Sequence, residues 1–291
     1  MSTTPPCFPG APDGAPGSAS RRLPMRSTDR ILQALPGVAA MLAVDTEQIV
    51  TDVVVGRKYT GVRLADGSVG VALTQHPEWS EGCCGQRPRG SMAPAPSEVD
   101  ALAESSAGQP LAQLIEHIGS RDPVIAAVAL AGVNALINRA ELPLMPGDLL
   151  QHLGVQSSDI VGMVGFFGPL VGPLERDCRQ LHIFERREAD GCLEAEEALK
   201  LLPSCDIAVI TAGTISNGSL DVLLAAAATC REVAIVGAST PMLPAAFQGT
   251  TVTWLSGSVV ADAEAVLEVV GGGGGRRDFN RFLIKGNLAV R

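Results

Sequence analysis

The sequence is short of aromatic side chains, with seven Phe, two Trp and one Tyr in 291 residues, and short of cations, with 22 Lys and Arg against 31 Asp and Glu for a net charge of -9. A protein that grips a phosphate backbone needs a basic face and stacking rings, so this balance disfavours nucleic acid as a partner. Long apolar runs are missing too. Gly, Pro or a charged residue breaks every candidate before the about 18–20 residues that a membrane helix requires. The opening MSTTPPCFPGAPDGAPGSASRRLPMR has no apolar stretch of the kind a secretory signal carries. Together these absences point to a cytoplasmic protein without a membrane partner. Cysteine is present seven times, an odd and scattered number, which excludes a disulfide framework as the organising device. A nucleophile elbow, a Walker loop and an HExxH helix are all absent, so hydrolase and nucleotide triphosphatase readings have no site to stand on.

What is present is a chain in two halves. Residues 1–26, rich in Pro, Gly, Ser and Ala, cannot bury enough surface to offset ordering entropy and read as a disordered tail. A helix is expected from Ser27, with its hydroxyl as cap, to a stop at Pro36-Gly37. Three strands follow over Gln48–Val55, Tyr59–Leu64 and Ser68–Leu73, the last two joined by Ala65-Asp66-Gly67, a hairpin signal. Residues 86–109 read as a loop insertion because Pro, Ser and Gly break any sustained period. Helices return over Pro110–Ile118 and Asp122–Arg139, with Pro123 in a first turn that tolerates it. The segment ELPLMPG, 141–147, is the natural boundary.

From Asp159 the pattern becomes strand and helix in alternation. Strands are expected at Ile160–Gly165, Gln180–Glu185, Asp206–Thr211, Glu232–Gly237 and Thr251–Leu255, and near-continuous apolar runs such as DIAVIT and EVAIVG belong in a parallel sheet covered on both faces. The fold class is therefore α/β, an α+β module of strands and helices over 27–140 followed by a five-stranded parallel sheet domain over 148–275. Gly271–Gly275 reads as a flexible connection, leaving 276–291 as a tail that either packs back on a core or reaches the site.

Open α/β sheets bind ligands beyond the carboxyl ends of their strands. There this sequence places Gly162, Gly165 and Gly168 around Phe166, Phe167 and Pro169, then Thr211, Thr214, Ser216, Asn217 and Gly218, then Ser239, Thr240 and Pro241, then Ser256, Gly257 and Ser258. Hydroxyls and free backbone N–H groups at four successive strand ends make one polar rim suited to an anionic or polar ligand. The first turn is spaced GxxGxxG, not GxGxxG, and two phenylalanines and a proline crowd the seat of a pyrophosphate. Glu185 nevertheless ends the next strand where a ribose-binding carboxylate sits in dinucleotide sites, so a nucleotide cofactor is the competing reading. Asn134 and Asn138, four apart on one face of an apolar helix, need partners if buried, either in loops of the second domain or on a ligand. His76, Glu78, Glu81, Cys83 and Cys84 fall within nine residues and offer transition-metal ligands, though adjacent cysteines seldom both serve one ion and no second cluster completes a tetrahedral set.

In that order and spacing, VGMVGFFGPLV, TAGTISNGSLDVLL, VGASTPMLP and WLSGSVVAD, preceded by GRKYTGVRL, GQPLAQL and NALIN, resemble an uncharacterised bacterial and archaeal family. It is the heavy-metal chelation domain family, whose members carry an enolase N-terminal-like domain in front. The resemblance covers about residues 27–275 and implies an enolase-type β-meander with helices joined to a Rossmann-like domain. It also implies a site in the cleft between them and a role in metal handling with a corrinoid-related context. By motif it carries over Gly165, Phe166, Pro169, Thr214, Asn217, Gly218, Ser239, Thr240, Pro241 and Gly257, and from the first domain Tyr59, Thr60, Asn134 and Asn138. Enolase chemistry does not follow, since the metal-binding barrel of enolases is absent. The expectation is a small anionic or metal-bearing ligand in an interdomain cleft, with a transition metal ion as cofactor or cargo and a homo-oligomer as one assembly. Whether a bond is made or broken is left open. A transferase or oxidoreductase with a nucleotide cofactor, and a non-catalytic scaffold, stand as alternatives.

Overall fold

The computed structural model describes residues 25–75, 98–186 and 191–290. The first of its two sheets is antiparallel and holds β1 (Val50–Val55), β2 (Tyr59–Leu64) and β3 (Val69–Leu73) in that order. Between β2 and β3 the chain reverses through Gly67, whose φ of +85° a side chain would resist, and whose N–H bonds Leu64 O at 2.9 Å. Two helices flank this sheet. On one face lies α4 (Pro123–Ile137), capped by Asp122, whose Oδ1 accepts the N–H of Val124 at 2.7 Å and of Ile125 at 3.2 Å. Every residue of α4 from Ala126 to Ile137 is buried, as expected of a helix that is apolar all round. It lies so close to β3 that a Cβ on Gly70 would stand 2.1 Å from Ala135 N. On the other face Gly61 makes the same room for Leu267 of α11 (Ala263–Gly271), a helix of the second half.

The second sheet has seven strands in the order β10-β9-β8-β7-β4-β5-β6, where β4 is Ile160–Val164, β5 Gln180–Glu185, β6 Leu193–Glu194, β7 Ile207–Thr211, β8 Glu232–Val236, β9 Trp254–Val260 and β10 Leu283–Ala289. All neighbours are parallel except β10 on β9. Val161 and Met163 point into one apolar cluster while Val164, Ala208 and Ile210 belong to the other, so both faces are covered and the strands read as continuous apolar runs. From β4 the chain adds strands first on one side, through β5 and β6, then on the other, from β7 onward. The progression reverses between β4 and β7, and their C-terminal ends flank the position where open α/β sheets hold ligands.

Several expectations need correction. The parallel sheet has six strands, not five, and a seventh antiparallel one. The expected tail 276–291 instead forms α12 (Arg276–Phe279) and β10. The glycine run is no flexible connection: the N–H groups of Gly272, Gly273 and Gly274 bond Glu268, Val270 and Val269 carbonyls, closing the end of α11, and Gly275 N bonds Asp278 Oδ2 at 2.7 Å. Within the expected insertion 86–109, α2 (Glu98–Ser106) is a helix, and Gly108 and Gln109 bond Val50. The first helix, α1 (Ser27–Met41), runs through Pro36, and Ser27 does not cap it; the N–H and hydroxyl of Ser27 bond Asp221 Oδ1 at 2.9 and 2.5 Å. Strand β9 starts at Trp254, not Thr251. No helix among the described residues is long and apolar enough to cross a membrane.

Candidate functional site

At the carboxyl end of β4, Gly165 adopts a φ of +89° and its N–H bonds Phe184 O at 2.8 Å, which turns the chain off the sheet while extending the ladder by one bond. Phe166 follows with 53% of its surface exposed, and Pro169 sits in the first turn of α6 (Gly168–Asp177), where its missing N–H costs nothing. Phe167 packs inward beneath this turn. The turn is tied from the neighbouring strand: Glu185 Oε2 accepts Phe166 N at 3.0 Å and Oε1 accepts Arg186 N at 2.8 Å.

At the carboxyl end of β7 the chain enters a short helix, α8 (Gly213–Ser216), and meets Gln75, two residues beyond β3. Gln75 Nε2 donates to Gly213 O at 2.6 Å, while its Oε1 accepts from Asn217 Nδ2 and from Arg186 Nη1, each at 3.1 Å. One amide thus gathers the end of β5, the end of β7 and the first sheet into a single polar cluster. Asn217 is held in turn by Ser219, whose N–H and hydroxyl bond its Oδ1 at 3.0 and 2.7 Å. Gly218 is exposed with φ +73°. Thr214 points away from the rim: its hydroxyl bonds Thr211 O at 2.6 Å and the residue is 3% exposed.

The remaining residues expected at the site are buried, some in the contact between the halves and some within their own half. Ser239, Thr240 and Pro241 are buried, and Ser239 Oγ accepts Leu73 N at 2.8 Å. Asn134 Nδ2 donates to Val71 O at 2.9 Å and Ser239 O at 3.1 Å. Asn138 Nδ2 donates to Thr240 O at 2.9 Å and Ser258 O at 3.3 Å, and its Oδ1 accepts Met242 N at 2.9 Å. Gly257 lies inside β9 opposite Gly286, with Met242 Sδ 2.5 Å from where its Cβ would be. Tyr59 packs edge-on against Phe279 with ring centroids 4.9 Å apart, and the buried Thr60 hydroxyl lies 2.9 Å from that of Thr74. Burial pushes the Tyr59 phenol up, against a smaller opposing pull from Arg276. Ser239, Asn134 and Asn138 are taken by contacts between the halves, the asparagines in the first of the two ways their spacing allowed, whereas Thr60, Thr214 and Gly257 are satisfied or packed within their own half.

Gln75 and Arg186 were missed by sequence reasoning; the available signal was their position one or two residues past a strand end. His76, Cys83 and Cys84 lie outside the described residues. Among the described residues no group of three or more His, Cys, Asp or Glu side chains is placed to hold a metal ion. The thiols of Cys205 and Cys230 are buried and bond the carbonyls of Leu201 and Leu202 at 3.4 and 3.7 Å; desolvation first, with Asp206 nearby, pushes them up to about 11 and about 12. A cavity of about 90 Å³ beside Thr214 and Gly218 is bordered by Ser27, Gly119 and Asp221, but its carboxylate already serves α1.

Over residues 148–288 the chain matches the model of DUF364, a family whose description reads "Putative heavy-metal chelation", and over 38–137 that of DUF4213, described in the same words. Two solved structures of DUF364 proteins of unknown function share the fold. One, from Desulfitobacterium hafniense, is 23% identical with a TM-score of 0.70 over 89% of this chain and 98% of that one. The other, from Pyrococcus horikoshii, is 20% identical with a TM-score of 0.71 over 91% of this chain and 100% of that one. An uncharacterised protein of Methanocaldococcus jannaschii is 26% identical over 163 residues, 54% of this chain, and the chain spans 63% of that relative's length.

Proposed function

Because the chain belongs to the heavy-metal chelation family, we propose that the open end of the seven-stranded sheet, between the β4 and β7 turns, binds a small metal-bearing ligand. The site is the Rossmann-like switch point of the second half, with Gln75 supplied by the enolase N-terminal-like first half. The observation that carries this reading is the convergence of Gln75, Asn217, Arg186 and Glu185 beside the exposed ring of Phe166. Neutral amides, backbone N–H groups, one guanidinium and a free aromatic face recognise the organic periphery of a chelate better than they ligate a naked ion. A corrinoid, flat and edged with amides, fits that chemistry and serves as the probe.

The test is anaerobic equilibrium dialysis of the reduced protein against Co, Ni, Fe and Zn ions and against a cobalt corrinoid. Retention of the corrinoid is expected, weakened about tenfold or more in Phe166→Ala and Asn217→Ala, since each removes one wall of a small site. Corrinoid binding unchanged in both variants, or no binding, overturns the proposal. Ion binding lost in Cys83→Ser/Cys84→Ser with no corrinoid retained would move the metal function to those thiols.

A second reading is favoured by the strand order and by Glu185 at the end of β5: a nucleotide cofactor with that carboxylate on its ribose. Glu185 already accepts two backbone N–H groups, so the ribose would share an engaged carboxylate. Saturable thermal stabilisation by NAD, NADP or S-adenosylmethionine, abolished in Glu185→Ala, would put this reading first.

A further inference from the structure

The protein is acidic overall, yet one face gathers cations without counterions. The turn between β1 and β2 carries Lys58, the glycine run leads into Arg276 and Arg277 of α12, and β10 brings Lys285 opposite Ser258. Lys58 lies along the glycine turn, its Cδ 2.8 Å and its Nζ 3.5 Å from where a Cβ on Gly275 would stand. The turn is firm: Gly56 N bonds Tyr59 O and Thr74 N bonds Lys58 O, each at 2.9 Å, while Tyr59 is braced by Phe279 of α12. Arg276, half-buried, acts on both the Tyr59 phenol and Lys285, whose ammonium is held below its usual range by desolvation and then by Arg276. Among the described residues none of these four cations forms an ion pair, although Asp52, Glu264, Glu268 and Asp278 lie on the surrounding elements. Asp52 and Glu264 pair with Arg63, and Asp278 holds Gly275 N.

Like charges held together without partners repel, and an arrangement of this kind is stabilised by a ligand of opposite sign. We propose that Lys58, Arg276 and Lys285 form a second binding site, on the face of the glycine turn, for a small molecule carrying a diphosphate. A single carboxylate would leave most of this charge uncompensated. A diphosphate presents several oxygens at once to a guanidinium fork and two mobile ammonium groups. Gly275 matters by lacking a side chain, which lets Lys58 lie across the backbone there. This site stands apart from the rim around Gln75 and does not depend on what binds there.

The experiment is calorimetric titration of the full chain with pyrophosphate at constant ionic strength. Saturable binding is expected, weakened about tenfold or more in Arg276→Gln and again in Lys58→Gln, as for loss of a charge-assisted partner. Lys285→Gln, on an exposed strand position, should weaken it less and guards against a folding defect in the other two. Arg176→Gln, whose guanidinium pairs with Asp177, should bind as wild type. Absent or unsaturable binding, or equal binding by all variants, overturns the proposal. So does tighter binding of duplex DNA or of phosphatidylserine vesicles than of pyrophosphate, since either would make the face a macromolecular docking surface.

Discussion

Asn138 contributes more to the contact between the two halves than Asn134, although the sequence presents them as equals. Asn138 has three partners across the contact and uses both ends of its amide; Asn134 donates twice, and its Oδ1 is buried without a partner. Asn138→Ala strands the Met242 N–H and two carbonyls and should cost about 3 kcal/mol of unfolding free energy, with Asn134→Ala about half that. Urea denaturation measures both, and equal costs would contradict the account. Asp66 gives a pH signature. Burial alone would raise its carboxyl, but hydrogen bonds from Ser68 and the ion pair with Arg139, 2.7 Å away, outweigh burial and hold it below its ordinary value. A depressed carboxyl stabilises the fold above its unfolded value and loses that contribution as pH falls through the folded one. Wild type should therefore exceed Asp66→Asn in stability at neutral pH, with the gap closing below about pH 4. The buried thiols make a third residue-scale case: iodoacetamide at mildly alkaline pH should label Cys205 and Cys230 only after unfolding, because the thiolate that reacts is suppressed. Labelling of the native protein, read by mass spectrometry, would contradict this. That Asn134 and Asn138 share a face and need partners was legible from their spacing. That the partners are Ser239, Thr240 and Met242 was not, because spacing along a helix says nothing of which backbone lies opposite.

Among the elements, two glycines separate what a helix and a sheet require. Gly37 lies inside α1 with nothing within 4 Å of its missing Cβ, so Gly37→Ala should raise stability by about 0.5–1 kcal/mol through helix propensity. Gly70 lies on β3 with the backbone of α4 2.1–2.2 Å from its missing Cβ, so Gly70→Ala must push that helix away and should cost about 3 kcal/mol or more. Denaturation midpoints moving the same way for both would refute the packing of α4. The parallel strands β4, β7 and β8 were legible because burial on both faces writes a near-continuous apolar run. Strand β10 was not: it has β9 on one side and only the Met145–Asn287 bridge on the other, and its sequence, with Lys285, Gly286 and Asn287 at the centre, lacks that run. The glycine run was misread because glycine carries no side-chain pattern, whereas the N–H bonds of Gly272–Gly274 and a φ of +77° at Gly273 mark an ordered helix end.

At the scale of the molecule, the two sheets are joined through helices that each half lends the other. The first sheet lies between α4 and α11, and α4 in turn holds the loop after β8 through its asparagines. Among the described residues, that interlock leaves Phe166, Gly168, Pro169 and Gly218 exposed at the polar rim, beside the partly buried Glu185, Gln75 and Asn217. The family resemblance was legible from motifs in both halves, within about residues 27–275, whereas the share of those motifs that serves packing was visible only in three dimensions. Hydrogen exchange with and without a cobalt corrinoid separates the two possibilities most directly, since it reports backbone opening segment by segment. The account predicts added protection at 165–168 and 213–218 with Ser239–Met242 unchanged. Protection gained at Ser239–Met242, with the Gly165 and Asn217 turns unaffected, would mean that the halves part to admit the ligand and would contradict it.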